Sequence, residues 1–308
     1  MADHVDVPPF VRVEELDALP GRVVLADVRW YLDGRSGRAA YETGHLPGAV
    51  FVDLDRWLTG PATPEGGRNP LPSPGVFSRG MRALGIGDED VVVAYDDQGG
   101  VIAARLVWML RTTGRRAAVL DGGLAAYLDA RPGSLTSDEP APAEAVFTER
   151  PWPADVLVDA DGVTGRDVVA VDARNRDRFL GEQDPVDPRP GHVPGARSVP
   201  CRENLDDRGR LLPPRQIRDR FAAAGIDQHT APLVASYCGS GVTACHNLLT
   251  MEHTGIGRGR LFVGGWSAYS RDPSRSVETG PVQTGPVDTG PVDTGPVDTG
   301  PVETGPAR

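Results

Sequence analysis

The chain repeats itself. Val23-Val24-Leu25-Ala26-Asp27-Val28-Arg29 returns as Val168-Val169-Ala170-Val171-Asp172-Ala173-Arg174. Gly44-His45-Leu46-Pro47-Gly48-Ala49 returns as Gly191-His192-Val193-Pro194-Gly195-Ala196. Val91-Val92-Val93-Ala94-Tyr95-Asp96 returns as Leu233-Val234-Ala235-Ser236-Tyr237-Cys238, and the stretch from Leu120 to Tyr127 returns from Phe262 to Tyr269. The offsets, taken at Asp27/Asp172, His45/His192, Asp96/Cys238 and Gly123/Gly265, are 145, 147, 142 and 142 residues. Four motifs in one order at nearly one spacing require two homologous units in tandem. Units of that length are domains, not solenoid turns. A chain of 308 residues is long enough for both to bury a core.

Each half alternates short apolar runs with helix-like segments. In the second half, strands are predicted near 168–171, 196–199, 232–237 and 260–263. Helices are predicted near 174–180, 214–224, 242–254 and 265–270. Such alternation implies an α/β fold: in each half a mostly parallel sheet with flanking helices. Ligands in such sheets bind beyond the carboxyl ends of the strands. The first domain is expected at 1–135 and the second at 154–275. Between them, 136–153 is rich in Pro, Ala, Ser, Asp and Glu and reads as a linker. From Val277 to Pro306 the pentapeptide Val-x-Thr-Gly-Pro occurs six times, with Glu, Gln or Asp at x. A Gly-Pro every five residues excludes helix and central strand, so 276–308 is expected to be an extended acidic tail.

Cys238 carries the chemistry. An apolar run leads into it, then Gly239-Ser240-Gly241-Val242-Thr243 turns into a helix. Backbone N–H groups of such a loop, with the helix N-terminus, converge on the sulfur and favour its anion. The thiolate, not the thiol, is the nucleophile. In the first half Asp96 stands in its place, and a carboxylate cannot carry a persulfide. Cys201 and Cys245 read as packing residues.

These motifs resemble the rhodanese family of sulfurtransferases, in particular its two-domain members. The likeness covers roughly residues 10 to 275 and rests on both Gly-His-x-Pro-Gly-Ala copies, on Cys238-Gly239-Ser240-Gly241-Val242-Thr243, and on Gly264-Gly265-Trp266-Ser267. It implies two rhodanese-like domains, the first inactive. It implies that Cys238 takes a sulfur from a small-molecule donor, 3-mercaptopyruvate or thiosulfate, as a persulfide, and that a thiol or cyanide acceptor removes it. Cys-Gly-Ser-Gly-Val-Thr is similar to members that prefer 3-mercaptopyruvate, in which the serine polarises the substrate. The alternative for Ser240 is a cap on the following helix. The resemblance also implies substrate contacts from Gly239, Gly241, Val242 and Thr243, and a carboxylate-binding Arg178 with Arg189 as a second cation. His45, with Asp33 before it, matches an acid–base pair proposed for such relatives. Because His45 recurs as His192, an architectural role is the competing expectation.

Composition excludes other classes. The net charge is −11 and all 32 basic residues are arginine, which argues against nucleic acid as a partner. No apolar run reaches membrane-spanning length and no signal peptide is visible. Three cysteines without paired spacing point to a reducing, cytoplasmic setting. The Cys and His spacings match no common zinc pattern, and no cofactor is expected. A cysteine phosphatase would need a longer loop closed by arginine, whereas Ala244 and Cys245 follow here. A non-catalytic persulfide carrier or regulatory module remains the second functional class, and turnover separates it from an enzyme.

Overall fold

The computed structural model describes residues 7–143, 145–182 and 184–281. Two five-stranded sheets form, and every strand pair in them is parallel. The first holds β1 (Phe10–Val11), β2 (Val23–Asp27), β3 (Val50–Phe51), β4 (Val91–Tyr95) and β5 (Arg116–Leu120), in the order β1-β5-β4-β2-β3. The second holds β6 (Leu157–Val158), β7 (Val169–Asp172), β8 (Arg197–Ser198), β9 (Val234–Tyr237) and β10 (Arg260–Phe262), in the matching order β6-β10-β9-β7-β8. The central strands β4 and β9 are buried along their whole length, as continuous apolar runs in a parallel sheet must be. The edge strands are two residues long, which leaves little unpaired edge.

In both sheets the chain reverses its direction of growth between the two middle strands, β2/β4 and β7/β9. That is where a doubly wound sheet opens a crevice. After β4 and β9 come the equivalent helices α3 (Ala104–Thr112) and α7 (Ala244–His253). Before α3 the first domain has α1 (Gly37–Thr43) and α2 (Pro74–Ala83), and after it α4 (Gly123–Ala130). The second domain has α5 (Arg176–Leu180), α6 (Pro214–Ala223) and, after α7, α8 (Gly265–Tyr269). α3 and α7 pack on each other, so one apolar cluster runs through both domains, from Trp108 and Val101 to Leu248 and Val242. The Arg111–Glu252 pair ties the same helices at 2.7 Å.

Two expected boundaries move. The segment 136–153 does not hang free. Phe147 is buried against Phe77, and the Thr148 N–H donates to Asp88 at 2.9 Å. The tail, expected to leave at Ser276, stays on the second domain through Pro281. Glu278 and His192 exchange backbone hydrogen bonds of 2.8 and 3.0 Å, and the Gly280 N–H donates to Leu180 O at 2.8 Å. His45 and Thr136 exchange the same pair of bonds in the first domain. The duplication therefore has a fifth element, a return segment pinned to the histidine motif. Residues 282–308 of the expected tail lie outside the described residues.

Candidate active site

A buried polar frame fixes the strand ends in each domain. Asp27 takes the Arg29 guanidinium, which also donates to Gly44 O at 2.8 Å; Asp172 takes Arg174, which donates to Gly191 O at 2.6 Å. The hydroxyls of Tyr95 and Tyr237 accept from Leu46 N–H and Val193 N–H at 3.1 and 3.2 Å. Charges this deep are costly unless paired and hydrogen-bonded, and these are both. The frame aims the residue after β4 and after β9 into the crevice.

In the first domain that residue is Asp96, fully buried. Its carboxylate accepts from the N–H groups of Gln98, Gly100, Ile102 and Ala103 at 2.7–2.9 Å. Burial pushes the carboxyl above its ordinary value, and those four donors oppose the shift by favouring the anion. The loop is thus an anion cradle. In the second domain Cys238, 3% exposed, holds the same place. Its carbonyl accepts from Trp266 N–H at 2.8 Å, as Asp96 O accepts from Leu124 N–H at 2.9 Å. The glycine pair behind each explains itself here. Gly123 and Gly265 have φ of +53° and +56°, and a Cβ on them would lie 2.3 and 2.7 Å from those two carbonyl oxygens.

Cys238 opens onto a cleft of about 210 Å³ between the domains. Gly239, Ser240, Val242, Thr243 and Arg178 line it, as the sequence led us to expect. Gly241 shapes the loop without facing the cleft: its φ is +75° and its carbonyl points back toward Arg105, 3.1 Å away. Arg178 bonds Asp187 at 2.7 Å and Asp184 at 3.0 Å, which pins its guanidinium beside the loop. Trp30, Arg68, Gln98 and Ile102 complete the wall from the first domain. Arg68 pairs with Asp187, and its Nη2 lies 2.8 Å from where a Gly239 side chain would begin.

Three further residues singled out from the sequence lie outside the cleft. Arg189 points away from the cleft. It donates to the carbonyls of Tyr269, Ser270, Asp272 and Arg275 and so caps the end of α8. His45 is fully buried and stacked on Tyr41 at 3.7 Å, with Nδ1 2.8 Å from Tyr41 O. His192 does the same with Phe179, at 3.8 and 2.8 Å. Neither histidine lines the cleft. Asp33 is exposed and paired with Arg35 at 2.9 Å, not with His45. Cys201 lines the cleft and Cys245 lies behind the loop; burial pushes both thiols up to about 12, so they are neutral at ordinary pH. Among the described residues, no cluster suited to a metal ion occurs.

Fold, duplicated frame and loop define the class, and the chain belongs to the rhodanese-like domain family, which matches residues 13–130 and 159–272. It is a sulfurtransferase of the two-domain type. It is 41% identical over 267 residues to a Pseudomonas aeruginosa protein named "Probable 3-mercaptopyruvate sulfurtransferase", covering 84% of this chain and 93% of that one. It is 37% identical over 263 residues to a Mycobacterium tuberculosis protein whose name reads thiosulfate sulfurtransferase, covering 84% and 91%. The solved 3-mercaptopyruvate sulfurtransferase of Leishmania major superposes with a TM-score of 0.76 at 30% identity, covering 85% of this chain and 74% of that one.

Proposed function

We propose that the enzyme moves a sulfane sulfur from 3-mercaptopyruvate to a thiol or cyanide through a persulfide on Cys238. The Cys238 thiolate attacks the donor sulfur. The carbon–sulfur bond breaks, its electrons pass to carbon as the pyruvate enolate, and a proton completes pyruvate. An acceptor thiolate or cyanide then attacks the outer sulfur, and Cys238 leaves as thiolate. Loop N–H groups stabilise both sulfur anions, as the first-domain cradle does its carboxylate. Ser240 lines the cleft, and in this reading its hydroxyl donates to the donor's carbonyl oxygen.

The observation that carries the donor choice is the charge of the wall. Four arginines line the cleft: Arg68, Arg174, Arg178 and Arg202. Three carboxylates, Asp172, Asp184 and Asp187, already pair with the first three. That balance suits one carboxylate better than the two charges of thiosulfate, and the loop residues Gly239 and Ser240 add no cation. Three free cysteines fit a reducing compartment, the cytoplasm.

The test is parallel kcat/KM for 3-mercaptopyruvate and thiosulfate. Mercaptopyruvate is expected to lead, and Arg68→Gln is expected to raise its KM about tenfold with a smaller change in kcat. Faster turnover of thiosulfate would overturn the donor reading and leave the sulfurtransferase intact.

A further inference from the structure

Arg105 stands second in α3, and its side chain is fully buried. Its guanidinium donates to three backbone carbonyls: Leu58 O at 3.4 Å, Asn69 O at 3.1 Å and Gly241 O at 3.1 Å. No carboxylate among the described residues pairs with it. An ion taken out of water without a counterion is costly, and burial accordingly pushes this guanidinium below its ordinary value. The groups that oppose the shift are the thiols of Cys245 and Cys238, whose anions would complement it. The Cys245 sulfur lies 3.4 Å from the same Gly241 oxygen. Cys245 stands second in α7, so the two equivalent helices meet here with unlike residues at one position.

On the cleft side of Cys238 the cations are already engaged. Arg68, Arg174 and Arg178 each bond an aspartate, Arg202 bonds Gln98 Oε1 at 3.1 Å, and Cys201 is a neutral thiol. Behind the loop stand Cys245, also neutral, and Arg105. An unneutralised charge in a dry setting acts more strongly than a paired one near solvent.

We propose that Arg105 is a positioning residue for sulfur transfer. The first domain uses it to hold the Cys238 loop from behind, through Gly241 O, and to supply a buried positive charge without a counterion that favours an anionic sulfur at Cys238. The proposal rests on Cys238 being the nucleophile. It gives the domain without a cysteine a part in the chemistry of the other.

The experiment follows alkylation of Cys238 by iodoacetamide against pH in the full chain, read by mass spectrometry of the peptide containing it. Arg105→Gln keeps a donor for Gly241 and removes the charge. Arg105→Met removes both, and leaves no opposing charge stranded. Arg105→Lys keeps the charge. The Gln and Met variants are expected to shift the alkylation midpoint upward by about one pH unit, and Lys to stay near the parent. At neutral pH kcat falls about tenfold in the Gln and Met variants with little change in donor KM, and recovers as pH rises through the new midpoint. Loss through misfolding would not recover. An unmoved midpoint in either folded neutral variant, or an equal shift in Arg105→Lys, overturns the proposal. Failure of the nucleophile reading looks different: Cys238→Ser would then still turn over, whatever the alkylation midpoints do.

Discussion

The loops after β4 and β9 share a frame and differ in what fills them. Seven residues lie between Asp96 and the start of α3, and five between Cys238 and the start of α7. The longer loop folds four N–H groups onto its own carboxylate and is complete. The shorter one surrounds a thiol that faces a cleft. The first loop shows what the architecture selects for, which is negative charge at a strand end. A permanent carboxylate turns that preference into a stabilising contact. In the second, under the proposed mechanism, the preference is reserved for charge that comes and goes with each turnover.

The sharpest way to break this comparison is to exchange the fillings. Cys238→Ser is expected to reduce turnover by more than about a thousandfold without unfolding the protein, with no persulfide detected by mass spectrometry. Adding Asp96→Cys to that variant should not restore activity, because residue 96 is fully buried and does not line the cleft, although Gln98 and Ile102 of its loop do. Recovery of turnover would make the two loops interchangeable. Asp96→Ala leaves four buried N–H groups without their acceptor, and thermal unfolding should register a loss of about 3 kcal/mol. A loss below about 1 kcal/mol would mean that water fills the cradle as well as the carboxylate does.

The return segments give a smaller contrast. Truncation after Pro281 should leave the thermal midpoint nearly unchanged, whereas truncation after Arg275 removes the bonds to His192 and Leu180 and should cost about 1–2 kcal/mol. Equal midpoints would show that the first pentapeptide only rests on the surface. The smallest effect at neutral pH concerns α7 against α3, where His246 stands at the place of Leu106. Burial holds the His246 imidazole down at about 3 from 6.5, so the folded state keeps it neutral. Its contribution is present in full above pH 6.5 and is lost as pH falls from there toward 3, because the unfolded chain takes up the proton first. His246 packs edge-on to Phe10 of the other domain, 5.3 Å between ring centres. His246→Leu should therefore flatten the acid side of the stability curve, and an unchanged acid profile would exclude this residue as its source.

Duplication made most of the fold legible. The repeated Asp-x-Arg and Gly-His-x-Pro-Gly-Ala motifs are the buried frame itself, and the predicted strands and helices of the second half fall within two residues of the observed ones. Cys238, its loop and Arg178 were readable because local chain order places them. The misses have a common cause. Arg189 sits where a short count from the histidine motif suggests a substrate cation, yet the carbonyls ending α8 claim it, and those come from 80 residues away or more. Arg68 has a counterpart in Arg210, each after a left-handed glycine, yet only Arg68 lines the cleft. It reaches the site because Gly67 packs against Gly264 and Ser267 accepts the Arg68 N–H at 3.0 Å, a contact across domains that no local pattern encodes. Thr136 and Glu278 share no side-chain character. They do the same work through backbone bonds, which leave no trace in composition.

That indifference to side chains bears on how the repeated end of the chain can change. Bonds to His192 and Leu180 use the main chain of one Val-x-Thr-Gly-Pro unit, and five near-identical units follow it. If copying of so repetitive a coding stretch dropped the first unit, Val282-Gln283-Thr284-Gly285-Pro286 would follow Ser276 and offer the same backbone. Only the Glu278 carboxylate, which accepts from Gly195 N–H at 2.9 Å, would become an amide. Heritable changes in the number of units can therefore accumulate while the backbone bridge to His192 stays closed, each spare unit standing as a replacement for the one in use.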